Sequence, residues 1–310
     1  MATREPVDTM GTRPITAIRM PMKQLDLPGG GPIPQLGLGT WRMGESRRSA
    51  DAEVASVRAA LELGYRLIDT AEMYGEGGAE TVVGRAIAEA LRRGDMHRDE
   101  LCIVSKVYPH NASRMGTAAA CDRSRKRLGL DRIDLYLLHW RGSIPLAETS
   151  AALQSLVADG RIGRWGVSNL DVDEMRDVEA ITAAGEAPED RCAVNQVHYS
   201  LSERGVEFSL LPWMRACQMP LMAYSPIGQG SLATDPTLAA IAAARGLSAA
   251  QVALGWVLRE PGVVAIPKAS SLAHLEQNFA AVDLVFETAE LRALEARFPA
   301  PGRKAPLAMI

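Results

Sequence analysis

Short apolar runs that end in a polar or ionisable residue recur along this 310-residue chain at a nearly constant beat. Tyr65–Asp69, Leu101–Lys106 and Ile133–His139 set Asp69, Lys106 and His139 at intervals of 37 and 33 residues. The beat continues through Ser168, Gln196, Tyr224 and Ile266, with gaps of 29, 28, 28 and 42. One strand plus its crossover helix takes about 30 residues or more, so the spacing reads as successive βα units. Parallel neighbours lie only about 4.8 Å apart, so polar side chains at several strand ends meet in one place.

The text between the runs supplies the helices and their stops. Ser49–Leu63, Ala79–Arg93 and a segment reaching Leu128 read as helices closed by Gly64, Gly94 and Gly129. A helix over Leu146–Ala158 follows the fourth strand, and one starting near Asp171 follows Arg164–Ser168. Strand six reads as Cys192–Gln196, with a helix ending near Cys217, and strand seven as Pro220–Tyr224. Helices near 237–244 and 248–259 precede strand eight, Val263–Ile266, and helices near 271–280 and 288–297 follow it. With a first strand ending in Gly37–Trp41, this gives eight strands and an α/β fold, a closed (β/α)8 TIM barrel with an extra C-terminal helix. An open doubly wound sheet is the rival, but Gly37-Leu38-Gly39-Thr40-Trp41-Arg42 lacks the third glycine of a dinucleotide-binding turn.

Ahead of the first strand, Lys23–Leu27 and Ile33–Leu36 flank a Pro-Gly-Gly-Gly-Pro turn and predict a β-hairpin. Residues 1–22 carry charges and prolines without an apolar signal core, and read as a poorly ordered extension. Residues 23–310 read as one barrel domain. A net charge of −3 and a pI near 6.0 give no basic footprint for nucleic acid or an anionic membrane. No apolar stretch approaches the roughly 20 residues of a membrane span. Cys102, Cys121, Cys192 and Cys217 show neither metal nor redox spacing, which fits a reduced, cytoplasmic setting.

The strand ends also predict chemistry. Asp69 and Lys106 fall on consecutive strands, within ion-pair reach in a barrel, and Tyr74 follows in a glycine-rich loop. A phenol is a weak acid at neutral pH unless its anion is stabilised, and a lysine fixed by an aspartate can do this. Lowering a tyrosine by about three pKa units takes roughly 4 kcal/mol. His139 adds an imidazole beside the same point. Two rivals stand: Lys106 as the Schiff-base nucleophile of a lyase, or a redox-sensing or partner-binding barrel with slow turnover.

Asp69, Tyr74, Lys106 and His139 resemble the Asp-Tyr-Lys-His tetrad of the aldo-keto reductases. Flanking motifs agree: Ile68-Asp69-Thr70-Ala71, Leu137-Leu138-His139-Trp140, Gly166-Val167-Ser168-Asn169, Ala223-Tyr224-Ser225-Pro226 and Ile266-Pro267-Lys268. The resemblance covers about residues 23–300, and Phe298–Lys304 is similar to bacterial members that reduce methylglyoxal. It implies NADPH-dependent reduction of small aldehydes or ketones by a monomer without a metal. Tyr74 would protonate the carbonyl oxygen, Lys106 with Asp69 would lower the Tyr74 pKa, and His139 would orient the carbonyl.

The same resemblance implies cofactor contacts from Gly39, Thr40, Trp41, Ser225 and Ile227. Ser168, Asn169 and Gln196 would hold the nicotinamide carboxamide, and Tyr224 would stack on the ring. Lys268, Ser270 and Ser271 open a helix, whose free N–H groups attract anions, and no carboxylate falls between Lys268 and Glu276. That favours NADPH, with NADH possible because His274 stands where the family often has arginine. Gln277 and Asn278 fall at adenine-side positions. Trp41, Met73 and Trp140 would line the substrate pocket. The tail after Phe298 reads as too short for a long lid, leaving an open site.

Overall fold

Alternation along each strand decides which side chains enter the barrel. The computed structural model describes residues 22–46, 48–183 and 190–310, so the extension read over 1–22 lies outside them except for Met22. Strands β1 (Gln24–Asp26) and β2 (Pro32–Pro34) pair antiparallel as the hairpin. Eight strands then run parallel in sequential order: β3 (Gly37–Gly39), β4 (Leu67–Asp69), β5 (Cys102–Val107), β6 (Ile133–Leu138), β7 (Ile162–Ser168), β8 (Asn195–His198), β9 (Leu221–Tyr224) and β10 (Val263–Ala265). Parallel bridges between Leu36 and Ala265 and between Gly39 and Lys268 bring β10 back to β3. The Ala265 N–H donates to Gln35 O at 2.9 Å across this seam.

Two apolar clusters mark the two faces of the sheet. Ile68, Ile103, Tyr136, Val167, Val197, Ala223 and Ala265 pack outward against the helices. Leu67, Val104, Leu135, Leu137, Val194, Met222 and Val264 pack inward. Hairpin residues Leu27 and Ile33 join the inward cluster, with Ile33 fully buried, and so plug the amino end of the barrel. The Arg164 guanidinium fastens the turn by donating to Gly30 O at 2.7 Å and to Pro28 O. Five of these inward rows end, two residues on, in a polar group: Leu67 leads to Asp69, Val104 to Lys106, Leu137 to His139, Val194 to Gln196 and Met222 to Tyr224, whereas Val264 leads to the apolar Ile266.

The helices are α1 (Ala50–Leu63), α2 (Gly78–Arg93), α3 (Arg114–Leu128), α4 (Leu146–Ala158), α5 (Val172–Thr182), α6 (Leu210–Ala216), α7 (Pro236–Arg245), α8 (Ala249–Leu258), α9 (Leu272–Ala280) and α10 (Thr288–Arg297). Their bounds follow the sequence reading within a few residues. Strand six differs, because β8 runs on to His198 rather than ending at Gln196. Val197 and His198 find register partners in Ala223 and Tyr224, which prolongs the ladder. Upstream, Ala193 and Val194 still exchange hydrogen bonds with β7. Among the described residues no single helix is long and apolar enough to cross a membrane.

Candidate active site

The Lys106 ammonium organises the mouth of the barrel. Fully buried, it donates to Asp69 Oδ2 at 2.7 Å, to Thr70 O at 2.8 Å and to the Tyr74 hydroxyl at 3.1 Å. These three bonds use all three of its N–H donors. Asp69 is fixed from its other side, since Gln196 Nε2 donates to Asp69 Oδ1 at 2.7 Å. Thr40 Oγ1 donates to the Asp69 carbonyl at 2.9 Å, which ties β3 to the same point.

Tyr74 reaches Lys106 from the loop between β4 and α2. Gly75, Glu76 and Gly77 all take left-handed backbone there, with φ of 57°, 50° and 86°. This loop meets the one following Trp41 backbone to backbone. A Cβ on Gly78 would lie 2.2 Å from Gly44 O, and one on Gly44 would lie 2.1 Å from the Gly78 carbonyl carbon. Gly44 also has φ of 72°, so a side chain there is excluded both by space and by backbone.

Burial dominates the electrostatics. It pushes the Tyr74 hydroxyl above its ordinary value of 10.0, with Lys106 opposing part of the rise. The sequence reading of a Tyr74 pKa depressed towards neutrality is therefore corrected: Lys106 pulls in that direction, but desolvation of the phenolate outweighs it. Burial also works against the Lys106 ammonium, yet Asp69 and Tyr74 beside it hold it above 10.5. Asp69 is pushed above 3.8 by burial, against Lys106 and Gln196. Short donors on both of its oxygens are the geometry of an ionised carboxylate, and we read the pair as ionised. His139 is driven well below 6.5 by burial and by Lys106, so its imidazole is neutral. Its ring sits edge-on to Tyr74 at 5.7 Å, and its Nδ1 meets no hydrogen-bond partner among the described residues.

A cavity of about 430 Å³ opens over these groups. Asp69, Tyr74 and His139 line it, together with Gly39, Trp41, Met73, Trp140, Ser168, Asn169, Gln196, Tyr224, Ser225, Ile227 and Lys268. Lys106 and Thr40 lie buried behind that lining. A chain of polar contacts fixes the far wall. The Tyr224 hydroxyl donates to Asn169 Oδ1 at 2.9 Å, and Asn169 Nδ2 donates to Ser168 Oγ at 3.1 Å and to His139 O at 3.2 Å. Ser168 Oγ donates to Gln196 O at 2.8 Å. Behind Tyr224, His198 stacks on the ring at 5.4 Å with planes 9° apart.

Besides Lys106 and Thr40, five candidate residues fall outside the cavity lining, on or beside the first turns of α9: Ser270, Ser271, His274, Gln277 and Asn278. Ser271 caps the helix, accepting from His274 N at 3.2 Å, and Gln277 Oε1 accepts from Ser248 Oγ at 3.1 Å. The lining also holds residues the sequence reading missed: Arg42, Pro226, Gln229, Gly230, Pro267, Met309 and Ile310. Arg42 was legible from its place after Trp41, on whose ring its guanidinium lies at 4.6 Å. Met309 and Ile310 reach the wall in a tail whose Lys304 lies 3.2 Å from Asp171.

A parallel barrel that carries a buried Lys–Asp pair, a tyrosine and a neutral histidine at its carboxyl mouth defines a class, and comparison with known proteins gives the same one. The model of the aldo/keto reductase family matches residues 35–297, and the chain belongs to that family. It is 45% identical to the methylglyoxal reductase YeaE of Escherichia coli over 296 residues, covering 94% of this chain and 100% of that protein. It is 34% identical to the aldo/keto reductase slr0942 of Synechocystis, covering 87% of each. Among solved structures, the Klebsiella pneumoniae aldo-keto reductase in complex with NADPH superposes with a TM-score of 0.85 at 46% identity, covering 94% of this chain and all of that one.

Proposed function

We propose that this protein reduces small aldehydes and ketones, methylglyoxal among them, with NADPH as the hydride source. The observation that carries this reading is the Lys106 ammonium bonded to both Asp69 and the Tyr74 hydroxyl beneath an open cavity. The cavity suits a nicotinamide ring. Tyr224 lines it and is backed by His198, while Ser168, Asn169 and Gln196 offer amide and hydroxyl groups for a carboxamide. Lys268 adds a cation near the start of α9, where Ser270, Ser271, His274, Gln277 and Asn278 suit the adenosine phosphate end. A dinucleotide held by these residues would supply the hydride for the carbonyl carbon.

The chain's own residues then handle the oxygen. Tyr74 keeps its proton through the neutral range, because burial holds its hydroxyl above 10.0, and gives it to the carbonyl oxygen as charge develops there. The Lys106 ammonium at 3.1 Å compensates the phenolate left behind, and Asp69 keeps that ammonium charged and in place. His139, neutral beside Tyr74, hydrogen-bonds the carbonyl and fixes its approach. Trp41, Met73 and Trp140 form the apolar wall against the small substrate. An ammonium held above 10.5 by three acceptors is a poor Schiff-base nucleophile, which weighs against a lyase.

Loss of NADPH absorbance on adding methylglyoxal or a small aldehyde tests the reading, with NADH as the comparison. Tyr74→Phe lowers kcat by about 10²–10⁴-fold while NADPH still binds. In the wild type the rate holds with rising pH until the Tyr74 proton is lost above pH 10.0. A Tyr74→Phe protein with the wild-type rate overturns the assignment.

A further inference from the structure

We infer that Glu72 is a positioning residue that sets the separation of Tyr74 and Lys106. Glu72 lies two residues before Tyr74, is almost wholly buried, and does not line the cavity. Its Oε1 accepts from Tyr108 N at 2.8 Å and from Asn111 Nδ2 at 3.1 Å, two and five residues past Lys106. Its own N–H donates to the Lys106 carbonyl at 3.4 Å. On the outer side, Arg123 Nη2 approaches Oε2 at 3.4 Å. One side chain thus grips the segment after Lys106 while its backbone holds the start of the loop that ends in Tyr74.

The location of this grip is informative. Burying a carboxylate is costly unless it is well partnered, and a neutral apolar residue would fill the same space. A carboxylate brings several acceptor sites at once, which suits a point where a main-chain N–H and a side-chain amide must both be satisfied. The loop it steadies has consecutive left-handed residues just past Tyr74, and Glu76 is held by a 3.1 Å bond from the Tyr108 hydroxyl. Tyr108 therefore contacts the loop on both sides of Tyr74, once through its backbone to Glu72 and once through its ring to Glu76. Without the Glu72 acceptor, no other bond ties the residues just before Tyr74 to the turn after Lys106 by a side chain, among the described residues.

This inference rests on the reductase reading, and the test separates the two. The measurements are kcat, the NADPH dissociation constant and the deuterium effect on kcat from deuterated NADPH, in wild type, Glu72→Ala and Glu72→Gln. Glu72→Ala should lose about tenfold or more in kcat, because a shift of about 1 Å in a reacting group can cost 100-fold. NADPH affinity should stay within about twofold, and the deuterium effect should grow as the chemical step slows. Glu72→Gln keeps an oxygen for Tyr108 N and Asn111, while Arg123 is free to turn to water, so it should restore most of the rate. A Glu72→Ala enzyme with near wild-type kcat, an unchanged deuterium effect, or a Gln variant as slow as Ala overturns the inference. If Glu72→Ala does not fold, Asn111→Ala carries the test: about a threefold loss of kcat at unchanged NADPH affinity is expected, and a wild-type kcat overturns it. A wild type that shows no carbonyl-dependent NADPH oxidation sinks the reductase reading itself.

Discussion

The two ends of the barrel are built from the same strands and behave oppositely. At the amino end, Leu67, Val104, Leu135 and Val264 pack with Ile33 of the hairpin, and the Arg164 guanidinium donates to the carbonyls of its turn. At the carboxyl end, further along the inward rows, Asp69, Lys106, His139 and Gln196 take the inward positions. The lower half is held by area removed from water, whereas the upper half depends on each donor finding its acceptor. Stability and chemistry are thus layered along one axis, and a substitution should be felt according to its layer.

The sharpest way to break that division is Lys106→Met. It leaves the Asp69 carboxylate buried without its cation, which costs about 3–5 kcal/mol by the behaviour of broken buried pairs. Urea unfolding reads the loss, and NADPH oxidation should fall with it. A variant that is slow yet as stable as wild type would show that the mouth carries no structural burden. Next comes Ile33→Ala in the plug, expected to cost about 2–5 kcal/mol in the same titration. Its kcat and carbonyl KM should stay at wild-type levels at a temperature where the protein remains folded. An altered kcat would mean that the two layers communicate.

The smallest effect is a pH slope. His139 is held below its unfolded value of 6.5, so between the two values the unfolded chain binds the extra proton. Stability contributed by the neutral imidazole is present above pH 6.5 and is lost as pH falls below it, by up to about 1.4 kcal/mol per pH unit. His139→Asn should remove that part of the slope when unfolding is measured between pH 5 and 7. An unchanged slope would move the titration elsewhere.

Much of this was legible in the chain because alternation and strand ends are local properties. Asp69, Lys106 and His139 announced themselves as polar stops to apolar runs, and the structure puts them on inward positions. The contacts between loops were not legible. Gln196 bonds to Asp69 across 127 residues, and Glu72 grips a turn 36 residues away; no periodicity carries such pairings. The direction of the Tyr74 shift was misread for a related reason. The nearby cation is visible as a residue type, but the depth of burial that outweighs it appears only once helices and loops have packed. The same holds for Met309 and Ile310, whose approach to the cavity depends on where Lys304 finds Asp171.

The contact between Gly44 and Gly78 has a consequence for anyone wishing to redesign this enzyme. The segments after the first two barrel strands are usually treated as interchangeable modules on an inert scaffold. Here neither can be swapped alone, because a donor sequence lacking glycine at either position would collide with its neighbour's main chain. Libraries that diversify residues 42–46 should therefore co-vary 74–78, and transplants between homologues should move both segments as one cassette.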